Sequence, residues 1–280
     1  MDDGVLRQLR RKVLIVLICV LACWLGLTAA AFIAQGRMIF PVPASATVPT
    51  ARKGTLLRLP SEAGEVVALH FPAAEGEPTV VVFHGNGEEM ADVEDWAWQL
   101  HSHGLGALAV EYPGYGLAKA AGAPSEEGCY QAAEVALAHL KEKLGVPPER
   151  TILSGHSLGS AVAAEMALRG RGARLVLFSP ISSIDDEARG LFPFLPVGLL
   201  VRHHFATLSK AARIQVPTLI VHGAKDDVAP VWMGEKLSRA LPRASLIVVA
   251  GGGHDLIWPR IIPLAACVNE FAHGRECQGL

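Results

Sequence analysis

Charged residues are scarce in this chain, and the features that mark several protein classes are missing. Of its 280 residues only 19% are charged and 51% are hydrophobic, which excludes a disordered or fibrous protein. The 25 Lys and Arg residues nearly balance the 27 Asp and Glu residues and form no block of one sign, which argues against a nucleic-acid partner. The 5 cysteines have neither the C-x-x-C spacing of a zinc module nor the density of a disulfide scaffold. The length allows one large α/β domain or two small ones.

One long hydrophobic segment, Val13 to Ala34, contains no charged residue. At about 1.5 Å per residue, a helix over this segment is long enough to cross a hydrocarbon core of about 30 Å. Arginines and Lys12 precede it, whereas only Arg37 lies just after it, so the positive-inside rule places the N-terminus in the cytoplasm and the rest of the chain outside. We predict a basic cytoplasmic stub at 1–12, a transmembrane signal-anchor helix at 13–34 and a connector at 35–54.

Three other interpretations of this segment remain open. A cleaved secretory signal would use the small residues Ala29 to Ala31 as its cleavage site. A lipoprotein box is loosely matched by Val20 to Cys23, although Leu21 fits it poorly. A buried core helix is the least favoured of the three, because the segment is apolar on every face.

Beyond the connector, short apolar runs alternate with longer amphipathic ones, a pattern typical of βα units in a mainly parallel sheet. The predicted strands are Thr55–Leu59, Val66–Phe71, Thr79–Phe83, Leu105–Glu111, Thr151–Ser154, Leu175–Phe178, Thr218–Val221 and Leu246–Val249. The predicted helices are Glu88–His103, Glu126–Leu144, Leu158–Arg169, Val231–Leu241 and Pro259–His273. We therefore expect an α/β domain at 55–273, with a sheet buried on both faces, and a tail at 274–280.

The interval Ile181–Phe205 breaks this alternation, because it holds no clear strand and is rich in Leu, Phe and Val. Long irregular segments in compact domains are often functional. We interpret 181–205 as an inserted cap that contributes to a substrate pocket. A surface helical excursion packed on the core is the alternative.

The sequence Gly155-His156-Ser157-Leu158-Gly159 stands between an apolar strand and an Ala-rich helix. In this context G-x-S-x-G is typical of a nucleophile elbow, a strained turn that exposes the serine hydroxyl at the edge of the sheet. Such a turn has little room for side chains two residues before and after the serine, and Gly155 and Gly159 meet that demand. Ser157 is the predicted nucleophile.

A serine hydroxyl requires a base, and the base requires an acid that orients it. His254 is the predicted base, since three glycines precede it and allow its ring to turn toward Ser157. The residues alone leave the acid open between Asp226 and Asp227, with the pair Asp185-Asp186 as a lesser alternative. All of them follow predicted strands, and α/β sheets gather their sites at the carboxyl ends of strands.

Catalysis by these groups also requires N–H donors for the oxyanion of the tetrahedral intermediate. The backbone N–H of Leu158 lies at the positive end of the predicted helix and can supply one donor. A second donor is expected after the third strand, in Phe83-His84-Gly85-Asn86-Gly87, where Asn86 is the preferred residue. A tight glycine turn without catalytic function is the other interpretation of that stretch. No metal or organic cofactor is expected.

These motifs together resemble the α/β-hydrolase superfamily over roughly Val66 to Phe271. Four of them resemble a subgroup of membrane-anchored serine hydrolases related to serine aminopeptidases and to monoacylglycerol or acyl-protein lipases. They are Phe83-His84-Gly85-Asn86-Gly87, Glu111-Tyr112-Pro113-Gly114-Tyr115-Gly116, Gly155-His156-Ser157-Leu158-Gly159 and His222-Gly223-Ala224-Lys225-Asp226. The resemblance implies that Asp226 is the acid and that Asn86 belongs to the oxyanion hole.

The predicted function is a membrane-anchored serine hydrolase that cleaves carboxylic esters or thioesters. The anchor and the apolar cap favour lipophilic acyl substrates, so the expected partners are a small-molecule or lipid ester and a membrane. A serine peptidase of the aminopeptidase type is the alternative; Glu88, Glu89 or the Asp185–Glu187 run would bind the substrate amino terminus, although solvated faces are the preferred interpretation of these acids. A non-catalytic, membrane-tethered binding module is the second alternative.

The cysteines near the C-terminus give a secondary expectation. If the domain is extracytoplasmic, Cys267 and Cys277 are able to form a disulfide, with Cys129 left as a buried thiol. Two unpaired thiols at 267 and 277 are an equally weighted alternative.

Overall fold

The computed structural model describes residues 3–44, 46–50, 54–61 and 64–277. The predicted stub, connector and tail therefore lie partly outside the described residues. The strands are β1 (Thr55–Leu59), β2 (Val66–Phe71), β3 (Thr79–Phe83), β4 (Gly106–Val110), β5 (Thr151–His156), β6 (Arg174–Phe178), β7 (Thr218–Gly223) and β8 (Ala244–Val249). The α-helices are α1 (Asp3–Ile39), α2 (Glu94–Ser102), α3 (Glu126–Glu142), α4 (Leu158–Leu168), α5 (Ile184–Leu191), α6 (Val197–Leu200), α7 (Thr207–Lys210), α8 (Trp232–Ala240) and α9 (Ile261–Ala272). Short 3-10 helices cover Gly116–Ala121, Pro148–Arg150, Ala211–Arg213 and Trp258–Arg260.

All eight strands form one sheet in the order β1-β2-β4-β3-β5-β6-β7-β8. Only β2 runs antiparallel to its neighbours, β1 and β4; the other pairs are parallel. The predicted fold class, a mostly parallel eight-stranded α/β sheet flanked by helices, is confirmed. The parallel register aligns the carboxyl ends of β3, β5, β6, β7 and β8, so the loops after these strands meet at one edge.

Both faces of the sheet are buried, as the continuous apolar runs predict. In β3, Val81 and Phe83 join the cluster beneath α3, α4 and α8, whereas Val80 and Val82 join the cluster beneath α2 and α9. This alternation follows from the two-residue period of a strand. The core therefore lies in two layers, and the chain's functional loops are left at the carboxyl edge.

The predicted helix at Glu88–His103 is wrong in its first part, because α2 begins only at Glu94. Carboxylates in and near this stretch accept backbone N–H groups. Asp92 accepts from the N–H of Glu89 at 2.8 Å, and Glu111 accepts from the N–H of Met90 at 3.1 Å. Side-chain hydrogen bonds of this kind compete with helix formation.

Helix α1 extends beyond both ends of the predicted 13–34 segment and leads directly into the domain. Ile39 is buried at its end, and the ring of the adjacent Phe40 packs against His203 and Phe205 with centroid distances of 5.2 Å and 6.1 Å. Among the described residues, α1 alone is long and apolar enough to cross a membrane, and its most apolar stretch is not buried. A signal sequence near an N-terminus meets the same criteria of length and composition.

Two other predictions concern the surface of the domain. The interval Ile181–Phe205 contains α5 and α6 and no strand, which fits both an inserted cap and a surface helical excursion. Cys267 of α9 and Cys277 are joined by a disulfide, which is one of the two alternatives left open by the sequence. Cys129 is a buried free thiol.

Candidate active site

Ser157 occupies a tight turn between β5 and α4. Its backbone has φ of 50° and ψ of −119°, a region that costs free energy for a residue with a side chain. The turn is held because the Ser157 N–H donates to the Phe178 carbonyl at 3.0 Å. A Cβ on Gly155 would overlap the Gly159 carbonyl, and one on Gly159 would overlap the Phe83 carbonyl. The two motif glycines thus allow the close approach that presents the serine.

Ser157, His254 and Asp226 form one hydrogen-bonded chain. The Oγ of Ser157 lies 3.0 Å from Nε2 of His254. The other ring nitrogen, Nδ1, lies 2.9 Å and 3.0 Å from the two carboxylate oxygens of Asp226. Ser157 and Asp226 are buried, and the His254 side chain is 13% exposed. This arrangement suits proton transfer from the hydroxyl to the ring, with the carboxylate orienting the ring.

The alternative acids lie elsewhere. Asp227 is exposed, Asp185 lies 2.7 Å from Nδ1 of His204, and Asp186 accepts from Ser182 at 2.8 Å. Of the carboxylates weighed for this role, Asp226 is therefore the one in contact with His254.

The surroundings of Asp226 keep its carboxylate ionised. Burial raises the pKa of Asp226, but hydrogen bonds with His222 and His254 lower it by more, so the pKa lies well below its usual value. The backbone N–H groups of Val228 and Ala229 also donate to Oδ1, at 3.1 Å and 2.8 Å. A carboxylate with these partners remains a charged acceptor for His254 Nδ1–H.

The two predicted oxyanion donors lie on adjacent strand ends, because Phe83 of β3 is paired with Gly155 of β5. Leu158 is the first residue of α4, where a backbone N–H has no intrahelical acceptor. Asn86 lies in the loop after β3, and its side-chain oxygen accepts from the Tyr115 hydroxyl at 3.0 Å. That bond fixes the side chain of Asn86, and among the described residues none accepts a hydrogen bond from its backbone N–H.

An apolar cavity of about 160 Å³ adjoins the loop of Asn86. This volume is close to that of an engineered apolar cavity which takes up benzene. Its walls come from the end of α1, from α5 and α6 and from the segment that joins these two helices. The lining residues are Ala31, Gln35, Met38, Ile39, Asn86, Ile184, Glu187, Ala188, Leu191, Phe192, Leu195, Val197, Leu200 and Val201. The cavity thus offers an apolar binding surface beside the candidate oxyanion loop.

Comparisons with known proteins show which sequences this chain resembles. A family model described as serine aminopeptidase, S33, matches residues 74–204, and one described as TAP-like protein matches 200–272. An uncharacterized protein of Mycobacterium tuberculosis is 31% identical over 229 residues, which cover 79% of this chain and 80% of that protein. A putative alpha/beta hydrolase of Acanthamoeba polyphaga mimivirus is 30% identical over 186 residues, covering 65% of this chain and 68% of that protein. The chain belongs to the α/β-hydrolase superfamily.

Solved hydrolase structures share the fold of this α/β hydrolase. The 2,6-dihydroxy-pseudo-oxynicotine hydrolase has a TM-score of 0.65 at 16% identity, over 80% of this chain and 69% of the other. The monoacylglycerol lipase of Paleococcus ferrophilus has a TM-score of 0.58 at 20% identity, over 75% and 99% of the two chains. At such identities the likeness concerns the fold alone.

In this α/β hydrolase, a set of contacts that the sequence did not predict holds the backbone of His254. The His254 carbonyl accepts from the Ser179 hydroxyl at 3.0 Å and lies 3.2 Å from Nε2 of His156. Nδ1 of His156 lies 3.4 Å from Glu88 Oε2, and Glu88 also accepts from the N–H of Gly85 at 2.5 Å. These contacts link the oxyanion loop, the elbow and the histidine loop.

The prediction that Glu88 and Glu89 form solvated faces is wrong. Glu89 is 3% exposed, and the Glu88 side chain is 17% exposed beside His156. Burial raises the pKa of Glu88, but the hydrogen bond and charge of His156 lower it by more, to about 2. Burial lowers the pKa of His156, and Glu88 raises it by more, so the net shift is upward. The two side chains therefore form a buried ion pair.

We expect Glu88→Gln to destabilise the fold by about 1 to 3 kcal/mol near pH 6, because it removes the charge opposite His156. In the wild type, the contribution of Glu88 is complete above its unfolded pKa and is lost as the pH falls from about 4.5 to about 2. The contribution of His156 is complete below its unfolded pKa of about 6.5 and is lost as the pH rises through its higher folded value.

Urea unfolding between pH 3 and pH 9 measures this prediction. In the variant, both the loss of stability at low pH and the loss at high pH should be weaker than in the wild type. Glu127→Gln, at an exposed position of α3, is the control, and a Glu88→Gln profile equal to that of the control would contradict the ion pair.

Proposed function

We propose that this α/β hydrolase is a serine hydrolase that cleaves carboxylic esters or thioesters of lipophilic acyl groups. The observation that carries the proposal is the hydrogen-bonded chain from Ser157 Oγ through His254 to Asp226. A hydroxyl in this arrangement is activated by the ring nitrogen that takes its proton.

The proposed mechanism has two halves. In the first, Ser157 Oγ attacks the carbonyl carbon while its proton passes to His254 Nε2, and the N–H groups of Asn86 and Leu158 stabilise the oxyanion. His254 then gives that proton to the leaving alcohol or thiol as the acyl-enzyme forms. In the second half, a water loses a proton to His254 and attacks the acyl-enzyme, after which the acid leaves and Ser157 recovers its proton.

The cavity supports a lipophilic acyl group. Most of its lining is aliphatic or aromatic, and Asn86 belongs both to this lining and to the candidate oxyanion loop. An acyl chain in the cavity would bury apolar surface, which contributes about 25 cal/mol per Å². A substrate whose acyl chain fills the cavity is therefore favoured over a short or charged one.

The proposed setting is a membrane, with α1 as a single-pass anchor, the N-terminus in the cytoplasm and the catalytic domain on the other side. The cationic residues before the apolar segment favour that orientation. The disulfide between Cys267 and Cys277 supports it, since disulfides persist mainly in oxidising compartments.

Labelling with a fluorophosphonate probe tests the proposed nucleophile. The purified full chain should form a covalent adduct that mass spectrometry locates on Ser157, and Ser157→Ala should not be labelled. Protein denatured before probe addition is the control, because the hydroxyl is activated only in the folded site. An adduct on another serine, or no adduct on folded wild-type protein, would overturn the proposal.

A serine peptidase of the aminopeptidase type is the second candidate, and Glu187 favours it. This half-buried side chain lines the cavity, and none of the described residues donates a hydrogen bond to its carboxylate. Burial raises the pKa of Glu187, the charge of His254 lowers it and that of Asp226 raises it, with a net upward shift. A carboxylate at this position, within electrostatic range of His254 and Asp226, would suit the ammonium group of a substrate amino terminus.

The variant Glu187→Gln separates the two candidates. For an acyl-ester hydrolase we expect kcat/KM for p-nitrophenyl octanoate to rise by about 2- to 5-fold. The reason is that the variant has no carboxylate charge in the cavity that binds the apolar acyl chain. For an aminopeptidase we expect kcat/KM for alanine p-nitroanilide to fall by roughly 10- to 100-fold with the lost ion pair. Glu235→Gln, on the exposed side of α8, is the control. A fall with the anilide would favour the peptidase and overturn the ester preference.

A further inference from the structure

The cap contains a stretch with no charged or polar side chain, Gly190–Val201, which we call the apolar loop. Leu191, Phe194 and Leu199 in this loop are 69%, 81% and 86% exposed. No other large hydrophobic side chain among described residues 54–61 and 64–277 is as exposed. Soluble domains rarely leave such a contiguous apolar patch in water, so the apolar loop requires a partner of low polarity.

The apolar loop lies along α1, from Trp24 inside the segment predicted to cross the membrane to Gln35, the residue just after it. Nε1 of Trp24 donates to the carbonyl of Phe194 at 2.9 Å, and Nε2 of Gln35 donates to the carbonyl of Leu200 at 3.0 Å. These two positions of α1 are separated by about 16 Å along the helix axis. If α1 spans a bilayer, the same geometry carries the apolar loop into the adjacent leaflet.

Several backbone polar groups of the apolar loop are paired within the protein. Lipid requires backbone polar groups to be paired within the protein. Four N–H groups of the loop donate to the carbonyls of Phe192, Leu195, Pro196 and Val197; the donors are Leu195, Val197, Leu199 and Val201, in that order. Pro193 and Pro196 have no N–H to satisfy, and α1 supplies donors to two of the carbonyls.

Charged residues stand on both sides of the apolar loop but not in it. Arg189 precedes it and pairs with Asp186 at 3.0 Å. Arg202 follows it, with its guanidinium 4.1 Å from the ring centroid of Phe32, close to the end of the predicted span. Arginines at such positions extend toward headgroups while their stems cover apolar surface, so they fit the border of the leaflet.

We propose that the apolar loop is embedded in the leaflet that adjoins the catalytic domain, and that the cavity between this loop and α1 receives the acyl chain of a membrane-resident ester directly from the bilayer. The embedding rests on the apolar loop and α1 alone, whereas the ester rests on the proposed function. Ala31, Gln35 and Met38 of α1 line one side of the cavity, and Leu191 and Leu195 line the other. Helix α1 is thus a wall of the binding site as well as an anchor.

The embedding is tested without any turnover by photo-crosslinking. The full chain is reconstituted in phosphatidylcholine vesicles with p-benzoylphenylalanine in place of Leu199, and a second sample carries it in place of Ile262. Ile262 is 59% exposed on α9, outside the apolar loop, and does not line the cavity. Mass spectrometry should detect lipid adducts at 199 and none at 262. Absence of lipid adducts at 199, or equal adducts at both positions, would overturn the embedding.

Delivery from the bilayer is tested with Leu199→Glu, whose side chain does not line the cavity. In the same vesicles, the variant should hydrolyse monooleoylglycerol at least 10-fold more slowly than wild type, since a carboxylate opposes insertion of the loop. Its hydrolysis of soluble p-nitrophenyl acetate should stay within about 2-fold of wild type, and Ile262→Glu should change neither rate. Unchanged monooleoylglycerol hydrolysis in Leu199→Glu would overturn the proposal. A wild type inactive on both esters would instead overturn the proposed function and leave the crosslinking result standing.

The role of α1 as a wall is tested with Ala31→Phe, which adds a ring inside the cavity. We expect the ratio of hexadecanoyl to butanoyl ester hydrolysis to fall at least 10-fold, because the ring occupies space needed by the longer chain. The matched control is Ala30→Phe, since Ala30 is exposed and does not line the cavity. Equal chain-length profiles in the two variants would overturn the role of α1 as a wall.

Discussion

Replacing Ser157 with alanine is expected to lower kcat for carboxylic esters by about 10⁴- to 10⁶-fold. The variant keeps the turn, since Ser157 holds it through backbone N–H and carbonyl groups, but it has no oxygen to attack the carbonyl. Only stabilisation by the oxyanion donors and by binding would remain. Steady-state hydrolysis of p-nitrophenyl butanoate over a wide range of enzyme concentration measures the loss.

The control for this prediction is Ser209→Ala, which alters an exposed serine far along the chain from the elbow. Circular dichroism and urea unfolding should show that Ser157→Ala is folded. The substitution removes the hydroxyl oxygen and keeps the Cβ, so the backbone strain at residue 157 is unchanged. We therefore expect the free energy of unfolding to change by less than about 1 kcal/mol. Full turnover by a folded Ser157→Ala protein would show that another group is the nucleophile.

The fold could be predicted from the sequence because the strands have strong local signals. The apolar run at Val80–Phe83 is buried on both faces, and its length and β-branched content identify a central strand without any knowledge of its neighbours. The elbow is similarly local, since Gly155 and Gly159 meet a steric demand within five residues. The start of α2 lacks such a local signal, since the segment before it is held in part by a bond from the Met90 N–H to distant Glu111, a contact that no local pattern contains.

The supporting contacts of the site could not be predicted for the same reason. Glu88 and His156 are far apart in sequence, as are Ser179 and His254, and single-residue patterns do not reveal such pairs. The one available signal was the position of Glu88 directly after the Gly85–Gly87 loop. The contact between Trp24 and Phe194 joins two segments separated by most of the domain, so neither the anchor nor the cap alone indicated it.

The choice between Asp226 and Asp227 has a local physical cause that the structure reveals. Asp226 Oδ1 accepts the N–H groups of Val228 and Ala229, so its side chain folds back over its own turn and faces His254. Asp227 points to the exposed side of the same turn. The residues alone left both open, because a turn with two successive aspartates does not show which of them turns inward.

Asp226→Asn is expected to lower kcat by about 10⁴-fold through the tautomer of His254. In the variant, the oxygen of the introduced amide would keep the bonds from the N–H groups of Val228 and Ala229, so the NH₂ group of that amide would face His254 Nδ1. A donor at that position requires Nδ1 to be an acceptor, which places the ring proton on Nε2. Nε2 then cannot accept the proton of Ser157, although the three side chains keep their positions.

The control is Asp227→Asn at the neighbouring exposed position, for which we expect kcat to change by less than about 2-fold.

Because the pKa of Asp226 lies well below its usual value, the wild-type carboxylate stays charged from pH 5 to pH 9. The loss of kcat in Asp226→Asn should therefore persist across that range. Its stabilising contribution in the wild type is present above the unfolded pKa of about 3.8 and is lost only as the pH falls below it. Initial rates with p-nitrophenyl butanoate at each pH measure the loss, and circular dichroism of the same samples separates loss of the base from loss of the fold. If Asp227→Asn rather than Asp226→Asn removed the activity, the acid of the triad would be the outer aspartate, and the hydrogen bonds from His254 Nδ1 to Asp226 would have to be structural rather than catalytic.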